Sequence, residues 1–271
     1  MQLLLTGAGA ALAVASPLGA IQAHASPSLV EITSGAFTAG SGLITFSEAG
    51  YPLGTTNPTF TPAQYGGGAG SPTVSFGGYF TGETPGSANP SACPTGAALS
   101  GCVLGSPTGP LKLDPSSPAT MIASDSAMPT SPILSGSPLY NGPIAIDFST
   151  PQAGVGLIGG FFNAVCSTGI TAFDAQGNNL GTVCNQQTGD EFLGLVTSDG
   201  SPDIAGLLFH LVGSEPAGFD IDNVQFGTTG QVIVPPTGVP EPAAIGILGT
   251  ALAALGMVRR RRKVSGSLPI G

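Results

Sequence analysis

Tryptophan is absent from these 271 residues, and charge is scarce: Asp, Glu, Lys and Arg make up 8% of the chain, against about 25% in ordinary soluble domains. Basic residues are scarcer still. Five of the six are Arg259, Arg260, Arg261, Arg262 and Lys263, so from Ser26 to Pro240 the only base is Lys112, set against fourteen acids for a net charge of −13. A surface of that sign repels phosphate backbones and anionic headgroups, which excludes a nucleic-acid role. Histidine is nearly missing, with His24 and His210 alone. No G-x-S-x-G, H-E-x-x-H or phosphate-loop pattern occurs, so the nucleophile, metal and nucleotide chemistries those motifs carry have no visible seat. His210, inside the apolar run "GLLFHLV", reads as a strand residue rather than a base. Acids stand close together at Asp190-Glu191 and at Asp220/Asp222, and a glycosidase needs only two carboxylates. Without tryptophan to stack sugar rings, an active-site cleft is disfavoured, and the expectation is a protein that is not an enzyme.

Glycine (43) and proline (25) are abundant instead, and 41% of residues are hydrophobic. Gly and Pro each weaken a helix interior, while the apolar fraction suffices for a packed core. Short strands between tight turns follow. Alternating or continuous apolar runs predict strands at Gly42–Glu48, Thr73–Thr81, Ile144–Ser149, Gly154–Phe162, Ile170–Asp174, Leu180–Cys184, Glu191–Thr197, Ile204–Val212 and Gly218–Phe226. The breaks "AQGNN", "NQQTGD", "SDGSPD" and "GSEPA" are turn clusters. "ITAFDAQGNNLGTVC" is a hairpin, with Gly177 and Asn178 suited to left-handed backbone. Strands so spaced predict an all-β fold, an antiparallel β-sandwich, over residues 26–226. Residues 26–141 are the turn-rich half, and "TTNPTFTPAQYGGGAG" reads as loop. Residues 227–239, "GTTGQVIVPPTG" at their heart, read as a stiff linker.

Four cysteines, an even number in a chain read as exported, predict two disulfides. Three connectivities are open. The favoured one joins Cys93 to Cys102 across a small loop and Cys166 to Cys184 across the flanks of the hairpin, where the Cα atoms come within bridging distance. No C-x-x-C pattern argues for a metal in their place.

Both ends carry processing signals. Leu3 to Ile21 is almost wholly apolar or small, and Ala23-His24-Ala25 before Ser26 has the small-x-small form of a signal peptidase site, so residues 1–25 are read as a signal peptide cut between Ala25 and Ser26. No Lys or Arg precedes the apolar run, which departs from the usual positive n-region. At the other end, Ala243 to Val258 is an uncharged run of sixteen residues. As a helix it rises about 24 Å, just short of a bilayer core of about 30 Å. Five bases follow directly, a charge block that halts translocation and sets orientation. The chain is therefore expected to cross the inner membrane transiently through a short C-terminal transmembrane helix.

"VPEP", the short apolar helix and the arginine cluster together resemble the PEP-CTERM sorting signal of Gram-negative bacteria, over residues 240–263, with 264–271 as an additional tail. The resemblance implies recognition by an exosortase, a membrane-embedded cysteine transpeptidase, with Pro240, Glu241 and Pro242 as the recognition residues and Arg259 to Arg262 as the stop block. The same tail type has been labelled an ice-binding-protein C-terminus, which describes a shared address and not an activity. The ectodomain is more loosely similar to the jelly-roll ectodomains found ahead of such tails, which resemble carbohydrate-binding modules; "GFDIDNVQF" is its most telling piece. That likeness implies a structural Ca²⁺ held by a final-strand aspartate, Asp222 first with Asp220 beside it, the pair projecting from one face in regular β geometry.

The expected function is a non-enzymatic cell-surface or matrix protein whose partners are signal peptidase, an exosortase and extracellular polysaccharide. The alternatives are a structural spacer, or else a carbohydrate-active hydrolase or ice-binding protein. No regular Thr-x-Thr array of the kind a flat ice-binding face requires is present.

Overall fold

The computed structural model describes residues 28–124 and 132–236. The signal-peptide residues, the Ala25/Ser26 cleavage site, the Pro240-Glu241-Pro242 motif, the apolar run 243–258, Arg259 to Arg262 and the tail 264–271 all lie outside them. Among the described residues no helix is long and apolar enough to cross a membrane, and the only helical turns are three short 3₁₀ segments at Ser34–Ala36, Gly86–Ala88 and Pro90–Ala92.

The named strands pair antiparallel throughout. The strands are β1 (Leu29–Glu31), β2 (Gly42–Ile44), β3 (Thr59–Phe60), β4 (Val74–Gly77), β5 (Glu83–Pro85), β6 (Val103–Gly105), β7 (Met121–Ala123), β8 (Ile133–Ser135), β9 (Ile144–Gln152), β10 (Gly154–Phe162), β11 (Thr168–Phe173), β12 (Asn179–Cys184), β13 (Gly189–Thr197), β14 (Ile204–Leu211) and β15 (Asp220–Gly227). One sheet runs β1-β13-β10-β15-β8-β7, with β2 also on β15. The other runs β12-β11-β14-β9-β4-β3, and β5 and β6 form a separate ribbon. The two sheets face each other across one apolar core. Val155, Leu157, Leu193, Leu195, Ile221, Val224 and Phe226 come from the first sheet, and Ile144, Ile146, Ile170, Leu207, Phe209 and Leu211 from the second. Alternate residues of each strand supply this layer, as a period of two requires.

From β9 onward every strand but β12 crosses to the opposite sheet. Neither sheet is complete without the other, so the core forms as one unit. The rows of glycine in "GVGLIGG" have a packing reason: Gly156 lies opposite Gly194, and a Cβ on either would sit 2.4 or 2.6 Å from the ring of Phe192, which lies flat on bare backbone.

The first half of the chain contributes short strands and a cover. Tyr79, Phe80, Leu111, Leu113 and Val103 pack on Ala145, Phe173 and Leu208, on the outer face of the second sheet. Residues read as the start of a linker continue the domain through Pro236. Val232 is buried with Ile32 and Val196, the Ile233 N–H donates to Ala36 O at 2.8 Å, and the Thr38 N–H donates to Gln231 O at 3.0 Å.

Both disulfides have the favoured connectivity: Cys93–Cys102, with Cα atoms 6.0 Å apart, and Cys166–Cys184 at 4.8 Å. The second holds the start of β11 to the end of β12, beside the pairing of Gly169 with Cys184.

Candidate functional site at the loop end of the sandwich

Strand direction and register assign the loops to two ends. Phe162 pairs with Gly189, Gly160 with Asp220, Thr168 with Leu211 and Phe209 with Ile144. Loops 136–143, 163–167, 185–188 and 212–219 therefore gather at one end. Leu29 pairs with Thr197, and Val232 bridges to Phe37 and packs on Gly154 and Gly227, so Ser28 and Val232 lie toward the opposite end.

At the first end loops 136–143, 163–167 and 212–219, with the strand ends at Phe161, Phe162 and Gly189, form an open pocket of about 510 Å³ lined by Tyr140, Phe161, Phe162, Asn163, Gly189, Ala217 and Gly218. Phe162 forms the floor and is 2% exposed. Tyr140 and Phe161 are half-buried walls whose other sides pack on Ala123 and Ile133. Each has left-handed backbone, φ 57° and 64°, a conformation costing a bulky residue about 1 kcal/mol or more. For Tyr140 the surroundings hold it. Its carbonyl accepts from both the Gly218 and Phe219 N–H groups at 2.9 and 2.8 Å, its N–H donates to Ser135 Oγ at 2.6 Å, and its hydroxyl donates to Ser124 O at 2.9 Å. For Phe161, the N–H donates to Asp190 Oδ1 at 3.3 Å.

A buried polar network stands behind the pocket. Glu215 is fully buried. It accepts from the Asn163 N–H at 2.8 Å, from Asn163 Nδ2, and from Ser167 Oγ at 2.7 Å. Asn163 Nδ2 also donates to Phe161 O at 3.2 Å and Ala217 O at 2.9 Å. Asn185, likewise buried, accepts from the Ser167 and Thr168 N–H groups at 3.0 Å each, and the Cys166 N–H donates to its carbonyl. The Cys166–Cys184 bridge thus holds the loop that orients Asn163. Glu215 is held in this framework by Asn163 and Ser167.

Asp220 and Asp222 lie near this end, at the start of β15 in the interior of the first sheet. Asp220 stands opposite Gly160 and Asp222 opposite Ile158. They share a face, away from the core that Phe219, Ile221 and Val224 enter, yet both are fully buried. Asp222 Oδ1 accepts the Asn223 N–H at 2.7 Å, and Asn223 has φ 50° where the β10–β15 register shifts; Asp222 caps a bulge. Among the described residues, no group of three or more His, Cys, Asp or Glu is placed to hold a metal.

Elsewhere the ionisable groups serve the fold. His210 Nε2 is 3.0 Å from Thr171 Oγ1. The residue is half-buried, its Nδ1 is enclosed and meets no partner among the described residues, and desolvation pushes its pKa down to about 4. Glu83, 5% exposed, is raised to about 7 by burial while accepting the Phe80 N–H at 2.8 Å. Asp147 is also raised by burial. Asp114 and Asp199 are lowered by the side chain and N–H of Ser116 and Ser201 respectively, which makes them turn caps.

Sequence reading singled out neither Tyr140, Phe161 nor Asn163. Their only signal is position: each falls at a strand end or in a turn between predicted strands. No family model matches the chain, and no curated protein matches it. Among solved structures it is similar to the enzymatically active domain of tailspike protein 4 of bacteriophage CBA120, at 14% identity over 71% of this chain. The chain spans 21% of that structure's length, and the TM-score of 0.22 carries no argument about fold or function.

Proposed function

We propose that this chain is an exported, non-enzymatic protein of the cell surface or extracellular matrix, sorted by an exosortase through its C-terminal signal, whose sandwich binds extracellular polysaccharide. The observation that carries the reading is the opposition of the two ends. The described chain leaves β15 toward its sorting signal past Val232, which packs on Gly154 and Gly227 at one end, whereas the pocket lies among the loops of the other end. A domain tethered by its C-terminus would present that pocket outward. Two disulfides suit an oxidising compartment outside the cytoplasm, and a domain with one base among fourteen acids has little affinity for membrane surfaces or nucleic acid. Glu215 is wholly engaged by Asn163 and Ser167, which favours a rigid binding site over an acid–base pair.

The test has two parts. Mass spectrometry of the mature protein from its host should find a start at Ser26, two intact disulfides and loss of everything beyond the Pro-Glu-Pro motif. The purified protein should be retained on the host's own polysaccharide. A full-length cytosolic polypeptide with free thiols would overturn the export reading; an absence of retention would leave a spacer.

A further inference from the structure

We infer that the pocket walled by Tyr140 and Phe161 is the saccharide subsite, and that it takes an uncharged sugar ring and rejects uronic acids and sulfated sugars. The inference rests on the polysaccharide reading above and adds the site and the ligand class. The pocket's volume, about 510 Å³, falls within the range of about 300–1,000 Å³ usual for small-ligand sites.

The decisive feature is which hydrogen-bonding groups are left over. Both amide hydrogens of Asn163 are spent on Glu215, Phe161 O and Ala217 O, so the atom it presents is Oδ1, an acceptor. Asp190, next in the chain to the lining residue Gly189, accepts the Phe161 N–H and so places a carboxylate, not a cation, beside the pocket. The Tyr140 hydroxyl already donates to Ser124 O. Lys112 is the only base among the described residues, and it sits at the far end, where its neighbour Leu111 donates to Ala175 O in the turn that caps β11.

A rim of acceptors without a cation cannot compensate a carboxylate or sulfate for its lost water. A ligand fitting this rim brings donors of its own and one apolar face. The hydroxyls and C–H face of a neutral pyranose supply both, the C–H face lying against the rings of Tyr140 and Phe161. Two aromatic residues held at positive φ present those rings without further ordering on binding, and preorganisation of that kind favours affinity.

The experiment uses the mature, oxidised protein and the host's polysaccharide, separated by anion exchange into uncharged and acidic fractions. Binding to the uncharged fraction is expected, with at least tenfold weaker binding to the acidic fraction at the same salt. Two variants test the place. Phe161→Asn removes the ring at a position where asparagine tolerates the left-handed backbone, and Ala217→Trp fills the pocket from its exposed rim. Each should weaken binding at least tenfold with an unchanged far-ultraviolet spectrum and cooperative unfolding. Binding undiminished in both folded variants would overturn the site while leaving the polysaccharide reading intact. Preference for the acidic fraction would overturn the ligand class, and no binding to either fraction would remove both.

Discussion

Residues 144–227 and residues 28–135 are built to different plans. The later stretch holds seven strands of six to nine residues, each long enough to show its period; the earlier one holds eight strands of two to four. The first set forms most of the shared core and crosses repeatedly between the sheets. The second completes sheet edges and lays Tyr79, Phe80, Leu111 and Leu113 over an outer face. A long strand declares itself through alternation. A short one exists because a partner is already in place, which makes the early half a cover fitted to a scaffold.

The sharpest test of that division removes one side chain from each part. Phe209, at the centre of the core between Phe162 and Phe219, should cost about 4 kcal/mol as Phe209→Ala, whereas half-buried Leu113→Ala in the cover should cost about 1–2 kcal/mol, both read by chemical denaturation. Equal losses would mean that the cover belongs to the core.

Next come the bridges. Replacing Cys166 and Cys184 by Ser, eighteen residues apart in the scaffold, is expected to cost about 3 kcal/mol, and removing Cys93–Cys102 in the cover, nine apart, about 2.5 kcal/mol. Hydrogen exchange should separate them further: the first change loosens residues 163–168 and the pocket, the second only residues 86–102.

Titration sharpens the comparison again. Glu83 belongs to the cover and is raised to about 7. A carboxyl whose folded pKa lies above its unfolded value loses stability as pH climbs from about 4.5 to about 7, here by about 3 kcal/mol. His210 belongs to the scaffold and is lowered to about 4, so it loses stability as pH falls from about 6.5 to about 4. Their slopes oppose between pH 4.5 and 6.5. Glu83→Gln should therefore raise stability at pH 8 and expose a curve that climbs with pH across that window; a variant whose slope matches the parent's would show that Glu83 does not titrate in the folded state there.

The smallest effect is expected at the hairpin turn. Asp174 Oδ1 accepts from the Gln176 and Asn178 N–H groups at 2.9 and 2.8 Å, and Asp174→Ala should cost about 1 kcal/mol by thermal unfolding, without altering the pocket at the other end.

The legibility of the chain follows the same line. "GVGLIGGFF", "ITAFD" and "EFLGLVT" carry their strands openly, and spacing around the hairpin was enough to favour Cys166 with Cys184. The strands Glu83–Pro85 and Met121–Ala123 carry no such signal, because three residues cannot display a period. Residues 227–239 read as linker, with Gly, Thr and Pro flanking "VIV", yet Val232 finds a buried seat beside Ile32 and Val196. Asp220 and Asp222 were legible as neighbours on one face, but not as fully buried groups in the interior of a sheet.

The sequence by itself determined the all-β class, the strand positions of the later half, and the separation of charge between the acidic domain and the basic tail, since each depends on local period, spacing or composition; it favoured the disulfide pairing that the structure then fixed. Only the tertiary structure decided that three loops and two strand ends meet in one pocket, that Tyr140 and Phe161 wall it, and that Glu215 holds Asn163. Those contacts join residues from 21 to 78 positions apart in the chain, and strand order and register, which local sequence does not encode, are what bring them together.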